Sequence, residues 1–193
     1  MRQFLVITAL SALLCAPATG AQPDLAWRDA AALPELAGLA ELPVSAPQSL
    51  LGQALAGHWR GTLTYRDFRS DQRVVLPTGV DIGGASHALR LDFVYDDGPG
   101  KTVRSSQHWS LDLDGAALRT GEADAPLKIS NYHAGPEQDL TLIAFGAGVE
   151  NDAPIEVRSV VLRRGEHLSI SRATRLPGHP WLLRHVLRLT PAP

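Results

Sequence analysis

The sequence predicts an all-β fold: an antiparallel up-and-down β-barrel of about eight to ten strands, preceded by one short helix. Three observations carry this. Beyond Gly57 the apolar residues recur with period two, the spacing of strands buried on one face. The alternating runs are separated by short Gly-, Pro- and Asp-rich turns, as sequential antiparallel neighbours require. No long helical pattern lies between the runs, which excludes parallel βαβ units. Closure into a barrel removes the exposed edges that an open sheet would leave.

The chain opens differently. Met1-Arg2-Gln3 is a short positive start, Phe4 to Ala16 is apolar, and Ala18-Thr19-Gly20-Ala21 are small. This is the order of a secretory signal peptide over 1–21, with cleavage after Gly20 or Ala21, and its apolar run is too short to span a membrane. Cys15 is the sole cysteine, and Leu13-Leu14 before it do not fit lipid attachment. The processed chain then has no disulfide, thiol nucleophile or thiolate metal site. Nearly all the basic residues are Arg, with only Lys101 and Lys128 as Lys. With abundant Ala, Pro and Gly, this composition suggests a GC-rich bacterial genome, and so a periplasmic or secreted protein.

Residues 22–47 form an Ala- and Pro-rich leader whose apolar points are Leu25, Trp27, Leu33, Leu36, Leu39 and Leu42. Pro34 and Pro43 break it into short pieces; it either wraps the domain or hangs loose. The domain proper is 48–193. Ser45 and Pro47 suit a helix start, with Gln48 three residues after the cap. Leu50, Leu51, Ala54 and Leu55 share one face, and Gly57 ends the helix.

The strand patterns follow in order. Trp59, Gly61, Leu63 and Tyr65 alternate with Arg60, Thr62 and Thr64. Leu89, Leu91, Phe93 and Tyr95 alternate with polar neighbours up to the Asp96-Asp97-Gly98-Pro99-Gly100 turn. A strand from Lys101 runs through Trp109, Leu111 and Leu113 to a turn at Asp114-Gly115. Leu140, Leu142 and Ala144 lead to an expected break at Gly146-Ala147-Gly148. Ile155, Val157 and Val161 precede a turn at Arg164-Gly165-Glu166. Leu168 and Ile170 precede Pro177-Gly178. Trp181, Leu183, Leu187 and Leu189 close the chain on one parity, which His185 shares.

Gly57-His58-Trp59-Arg60-Gly61, entering the first strand from a short helix, resembles the opening of lipocalin-like (calycin) barrels. That resemblance implies that Trp59 plugs one end of the barrel and that an Arg near the end of the last strand, Arg184 or Arg188, packs over it. The haem-binding relatives open with the same Gly-x-Trp-x-Gly, although Tyr65-Arg66-Asp67-Phe68 stands where they have a second glycine-rich stretch. Tyr65 to Phe68 with Arg73-Val74-Val75-Leu76-Pro77 is also similar to exported bacterial proteins of no assigned activity.

Composition narrows the function classes. Hydrophobic residues are 45% and charged residues 20% of 193, with a net charge of −2. Disorder, coiled coil and a basic nucleic-acid module are excluded, as is an integral helical membrane span. No two of the seven histidines stand at i, i+2 or i, i+4, so no local metal clip and no metal site is expected. Gly84-Ala85-Ser86-His87-Ala88 lacks the last Gly and the following helix of a hydrolase elbow and reads as a loop. Asp112-Leu113-Asp114-Gly115 lacks the remaining ligands of a calcium loop and reads as a hairpin turn. No catalytic residue is assigned.

The candidate ligand-binding residues are Trp59, Tyr65, Phe93, Tyr95, Trp109, Trp181 and His185. Aromatic residues on one parity either line a small-molecule cavity or fill a core. His185 is either a neutral core histidine or a group that meets a ligand. The first expectation is an exported, non-enzymatic barrel binding a small apolar or amphipathic molecule, with no cofactor. The alternatives are a haem-binding or enzymatic barrel using His185, and a packed envelope structural or interaction protein.

Overall fold

The computed structural model describes residues 49–67, 70–114, 116–121, 125–135 and 139–193. The signal segment, the leader and the Ser45–Gln48 helix start lie outside the described residues. A short helix, α1 (Ser49–Leu55), precedes ten strands. These are β1 (Gly57–Arg66), β2 (Arg73–Ala85), β3 (Ala88–Asp96), β4 (Thr102–Asp112), β5 (Ala117–Arg119), β6 (Leu127–Ala134), β7 (Leu140–Glu150), β8 (Ala153–Arg164), β9 (His167–Arg175) and β10 (Leu182–Pro191). Each strand pairs antiparallel with the next, and β10 returns to β1 through Trp59↔Pro191 to Tyr65↔His185, closing the barrel. The fold class is as the alternation predicts.

Local chemistry places the turns. Gly57 has φ 138°, a conformation that only glycine adopts without strain, and it swings the chain from α1 into β1. At Gly61 the paired strands approach so closely that a Cβ would sit 1.9 Å from the Arg188 carbonyl oxygen. Asn151 and Asp152 both have positive φ, the requirement of a two-residue hairpin that matches strand twist. That turn joins β7 to β8, so the expected break at Gly146-Ala147-Gly148 is corrected: all three lie inside β7. Gly146 is needed there for space, since a Cβ would meet Leu127 Cδ2 at 2.4 Å.

Registers assign the faces, because directly paired residues point the same way. The inner face carries Trp59, Val80, Leu91, Phe93, Trp109, Leu111, Leu142, Val161, Ile170, Leu187 and Leu189, all buried. Two bulges interrupt the alternation. One lies between Ile129 and Asn131 in β6 and the other between Leu183 and His185 in β10. Each adds one residue to its strand and reverses the parity beyond it. Tyr132 is thereby brought into the core beside Ile129. Leu183 is turned outward with Ala173 while His185, Leu187 and Leu189 face inward.

Candidate functional site

The two ends of the barrel differ. At one, α1 lies across the opening with Leu51, Ala54 and Leu55 buried against Trp59. The backbone N–H of Gly52 donates to the Ser86 carbonyl at 2.9 Å, tying the helix to the β2–β3 turn. The Trp59 indole N–H donates to the Leu55 carbonyl at 2.9 Å. The guanidinium of Arg163 lies 4.9 Å from the Trp59 ring centroid. It donates to the carbonyls of Ala54 and, at 2.9 Å, Gly165. Burial lowers its pKa from the ordinary arginine range, with Asp139 opposing. This is the helix-terminus contact expected of a cation, since the last carbonyls of a helix lack intrahelical donors. Trp59 therefore plugs the barrel as expected, but the arginine that covers it is Arg163 of β8. Arg184 is at the opposite end and Arg188 is exposed on the outer wall.

The other end is a polar mouth. Paired residues on β8, β9, β10, β1 and β2 form a continuous inward row: Ser159, Arg172, His185, Tyr65 and Val74. Adjacent members are about 4.8 Å apart along the sheet. Arg172, His185, Tyr65 and Val74 point inward yet are only half-buried, as are Leu63, Tyr95, Ser105 and Gln107, so solvent enters the barrel here. Ten strands enclose a wider interior than eight; α1 occupies the far end of it, and Gly148 on the inner face of β7 adds no bulk near the rim.

Arginines dominate the electrostatics of the mouth. Arg184 donates to Thr174 Oγ1 and Glu150 Oε2. Its pKa is lowered, first by burial; Glu150 opposes this, and the positive charges of Arg66 and Arg172 add to it. Arg66 pairs with Asp71. Three guanidinium groups and His185 thus share one rim. The Tyr65 hydroxyl has a raised pKa, chiefly from burial, with Asp97 and Asp67 contributing. Phe93 and Tyr95 stack, with centroids 5.8 Å apart, and carry the aromatic surface from the core to the rim.

The structure divides the predicted site residues into three groups. Trp59 and Trp109 are buried toward the plugged end, Trp109 donating to Gln107 Oε1 at 2.9 Å. Phe93, Tyr95, Tyr65 and His185 lead from the core to the mouth. Trp181 is outside the barrel, a correction to its expected inward parity caused by the β10 bulge. It packs on Ala173, Leu183 and Val186, with the guanidiniums of Arg158 and Arg175 4.9 and 4.5 Å from its ring centroid and Phe145 at 6.1 Å. Sequence reasoning missed Arg172 and Arg184 as mouth residues. The signal was present for Arg172, whose parity in β9 matches Leu168 and Ile170, but the bulge hid it for Arg184.

A depression of about 750 Å³ lies on the outer wall between Arg60, Pro77, Gly79, Val94 and Lys101. It is shallow, opens broadly to solvent and contains none of the mouth residues, so the candidate site is the mouth. Among the described residues no three His, Cys, Asp or Glu side chains converge as metal ligands, and no helix is long and apolar enough to cross a membrane.

No protein-family model and no curated protein sequence matches this chain. Among solved structures it is similar to an S-type phycobiliprotein lyase from Guillardia theta, with a TM-score of 0.50 and 11% identity over 78% of this chain and 95% of that one. At that identity the likeness is one of fold. The chain is a closed ten-strand antiparallel barrel entered from a short helix through a plugging Trp59, and it shares the barrel fold of that lyase.

Proposed function

We propose that this protein is an exported, non-enzymatic carrier of a small amphipathic molecule. The apolar body of the ligand enters the mouth along Tyr95 and Phe93, and an anionic group at its end meets Arg172 and His185. The observation that carries this reading is the inward row Ser159–Arg172–His185–Tyr65, half-open to water at its centre and backed by an apolar interior. A guanidinium in such partial burial forms charge-assisted, forked hydrogen bonds to a carboxylate or phosphate. Arg66 with Asp71 and Arg184 with Glu150 already form ion pairs in the same rim.

A fatty acid and the fatty alcohol of equal length, each titrated against a fluorescent probe, test the reading. The acid is expected to bind about tenfold more tightly, the worth of one charge-assisted pair, and Arg172→Gln to abolish the difference. Equal affinities would remove the anionic group from the proposal; no binding of either would remove the carrier. Haem belongs in the same panel, and a Soret band lost in His185→Ala would replace the carrier reading with the haem one.

Export rests on the order of charge, apolar run and small residues in 1–21. Expression of the whole chain in a bacterium should yield periplasmic protein lacking its first 20 or 21 residues by intact mass. An unprocessed cytoplasmic product would overturn this part.

A further inference from the structure

Large apolar side chains left in water mark a contact surface when they gather in one place. Among the described residues four are exposed: Val75, Phe145, Val149 and Leu176. All four lie in the mouth half of the barrel, at or beyond the level of the Ser159 to Val74 row. Three of them share one lip. Phe145 and Val149 point outward from β7, whose inward parity belongs to Leu140, Leu142 and Ala144. They pair with Arg158 and Pro154 of β8. Leu176 opens the β9–β10 turn, where its carbonyl accepts from the His179 N–H at 3.0 Å. Trp181 closes that turn and lies against Phe145. The opposite lip is the β3–β4 turn, which exposes Asp96, Gly100, Lys101 and Thr102 instead. At the plugged end the Ser86-His87 and Gly165-Glu166-His167 turns expose no large apolar side chain either.

The charges on the apolar lip cancel. Arg175 pairs with Glu156 at 2.5 Å, Arg184 pairs with Glu150, and Arg158 is matched in number by Asp152 at the hairpin tip. A lip without net charge has no pull on a strongly charged partner. It offers instead aliphatic and aromatic side chains, with a tryptophan whose ring lies 4.9 and 4.5 Å from two guanidiniums. That is the chemistry of a water–hydrocarbon boundary, where an indole sits at headgroup level and arginine stems lie along apolar surface with their heads in water. The lip also runs into the mouth, since Arg184 donates to both Glu150 on β7 and Thr174 on β9. We propose that this lip docks on the surface of a zwitterionic lipid bilayer, so that the mouth exchanges its amphipathic ligand with the membrane. The exchange rests on the carrier reading above; the docking itself needs no ligand.

Ligand-free vesicles of phosphatidylcholine test the docking. In the full chain carrying Cys15→Ser, an environment-sensitive fluorophore is attached at Leu176→Cys on the lip or at His87→Cys at the plugged end. Adding vesicles should shift the Leu176→Cys probe to the blue and leave the His87→Cys probe unmoved. Phe145→Ser with Val149→Ser should weaken the vesicle affinity read at Leu176→Cys at least about tenfold. Both side chains are exposed, so the circular dichroism should not change. Raising salt to about 1 M should leave the affinity within about twofold. No shift at Leu176→Cys, or equal shifts at the two ends, overturns the proposal. So does binding that needs anionic lipid and is lost in salt, which would assign attachment to the arginines. A blue shift that grows with protein concentration before vesicles are added overturns it too, and assigns the lip to a second copy. Docking without fatty-acid binding would uphold the lip and remove only the carrier.

Discussion

Arg163→Met is expected to lower the free energy of unfolding by about 3 kcal/mol, read from urea denaturation. The aliphatic stem is kept, so the loss is electrostatic. A hydrogen bond from a charged donor contributes about 1.5–3 kcal/mol, and its removal strands the buried Ala54 carbonyl. A desolvated cation over an indole contributes up to about 2 kcal/mol more. Arg163→Lys should recover part of this, because an ammonium retains the charge but not the fork that reaches both Ala54 and Gly165. The cycle with Trp59→Leu isolates the ring contact: a coupling energy of about 1 kcal/mol is expected. A coupling indistinguishable from zero would mean that Arg163 serves the helix carbonyls alone and that the plug does not depend on the cation over the ring.

The second large effect is a gain in stability. Tyr132 is fully buried between β6 and its neighbours, and its hydroxyl has no hydrogen-bond partner among the described residues. Burying an unpaired hydroxyl costs about 1–3 kcal/mol, so Tyr132→Phe should raise the unfolding free energy by about 1–2 kcal/mol. Burial also pushes the Tyr132 pKa from 10.0 up to about 12. The unfolded chain then releases this proton at lower pH than the folded one. The stability is fully present below pH 10 and is lost as pH rises toward 12, by about 2–3 kcal/mol in all. Urea midpoints at pH 9 and pH 11.5 should therefore fall further in the native chain than in Tyr132→Phe. Parallel loss in both proteins, or a destabilised Phe variant, would show that the hydroxyl is satisfied.

Pattern reading gave neither residue a buried role, and took Arg163-Arg164 for a solvent-exposed basic pair at a turn although Arg163 is buried; the reason is the same in each case. Alternation reports which face a side chain is on, provided that the strand is regular. It placed Trp59, Phe93, Tyr95 and His185 on the inner face, where they are. It failed for Trp181 because the β10 bulge reverses parity between Leu183 and His185, and it gave no individual pattern for β6, where the bulge near Ser130 does the same. Gly146-Ala147-Gly148 looked like a break because glycine marks both turns and close packing; only the nearness of Leu127 separates the two. Trp59 at the strand entry is a local feature and was legible. Its cation Arg163 was not, because the contact joins residues about a hundred positions apart through the barrel closure.

By itself the sequence determined an all-β domain of about eight to ten sequential strands after a short helix, with Trp59 at the entrance and aromatic residues on the inner face. Those features follow from the period-two geometry of a strand and from turn chemistry, both local in the chain. Tertiary structure alone decided which end is plugged, which arginines reach the mouth, and that Trp181 lies outside. These depend on register, bulges and closure, which are settled by contacts between strands distant in sequence.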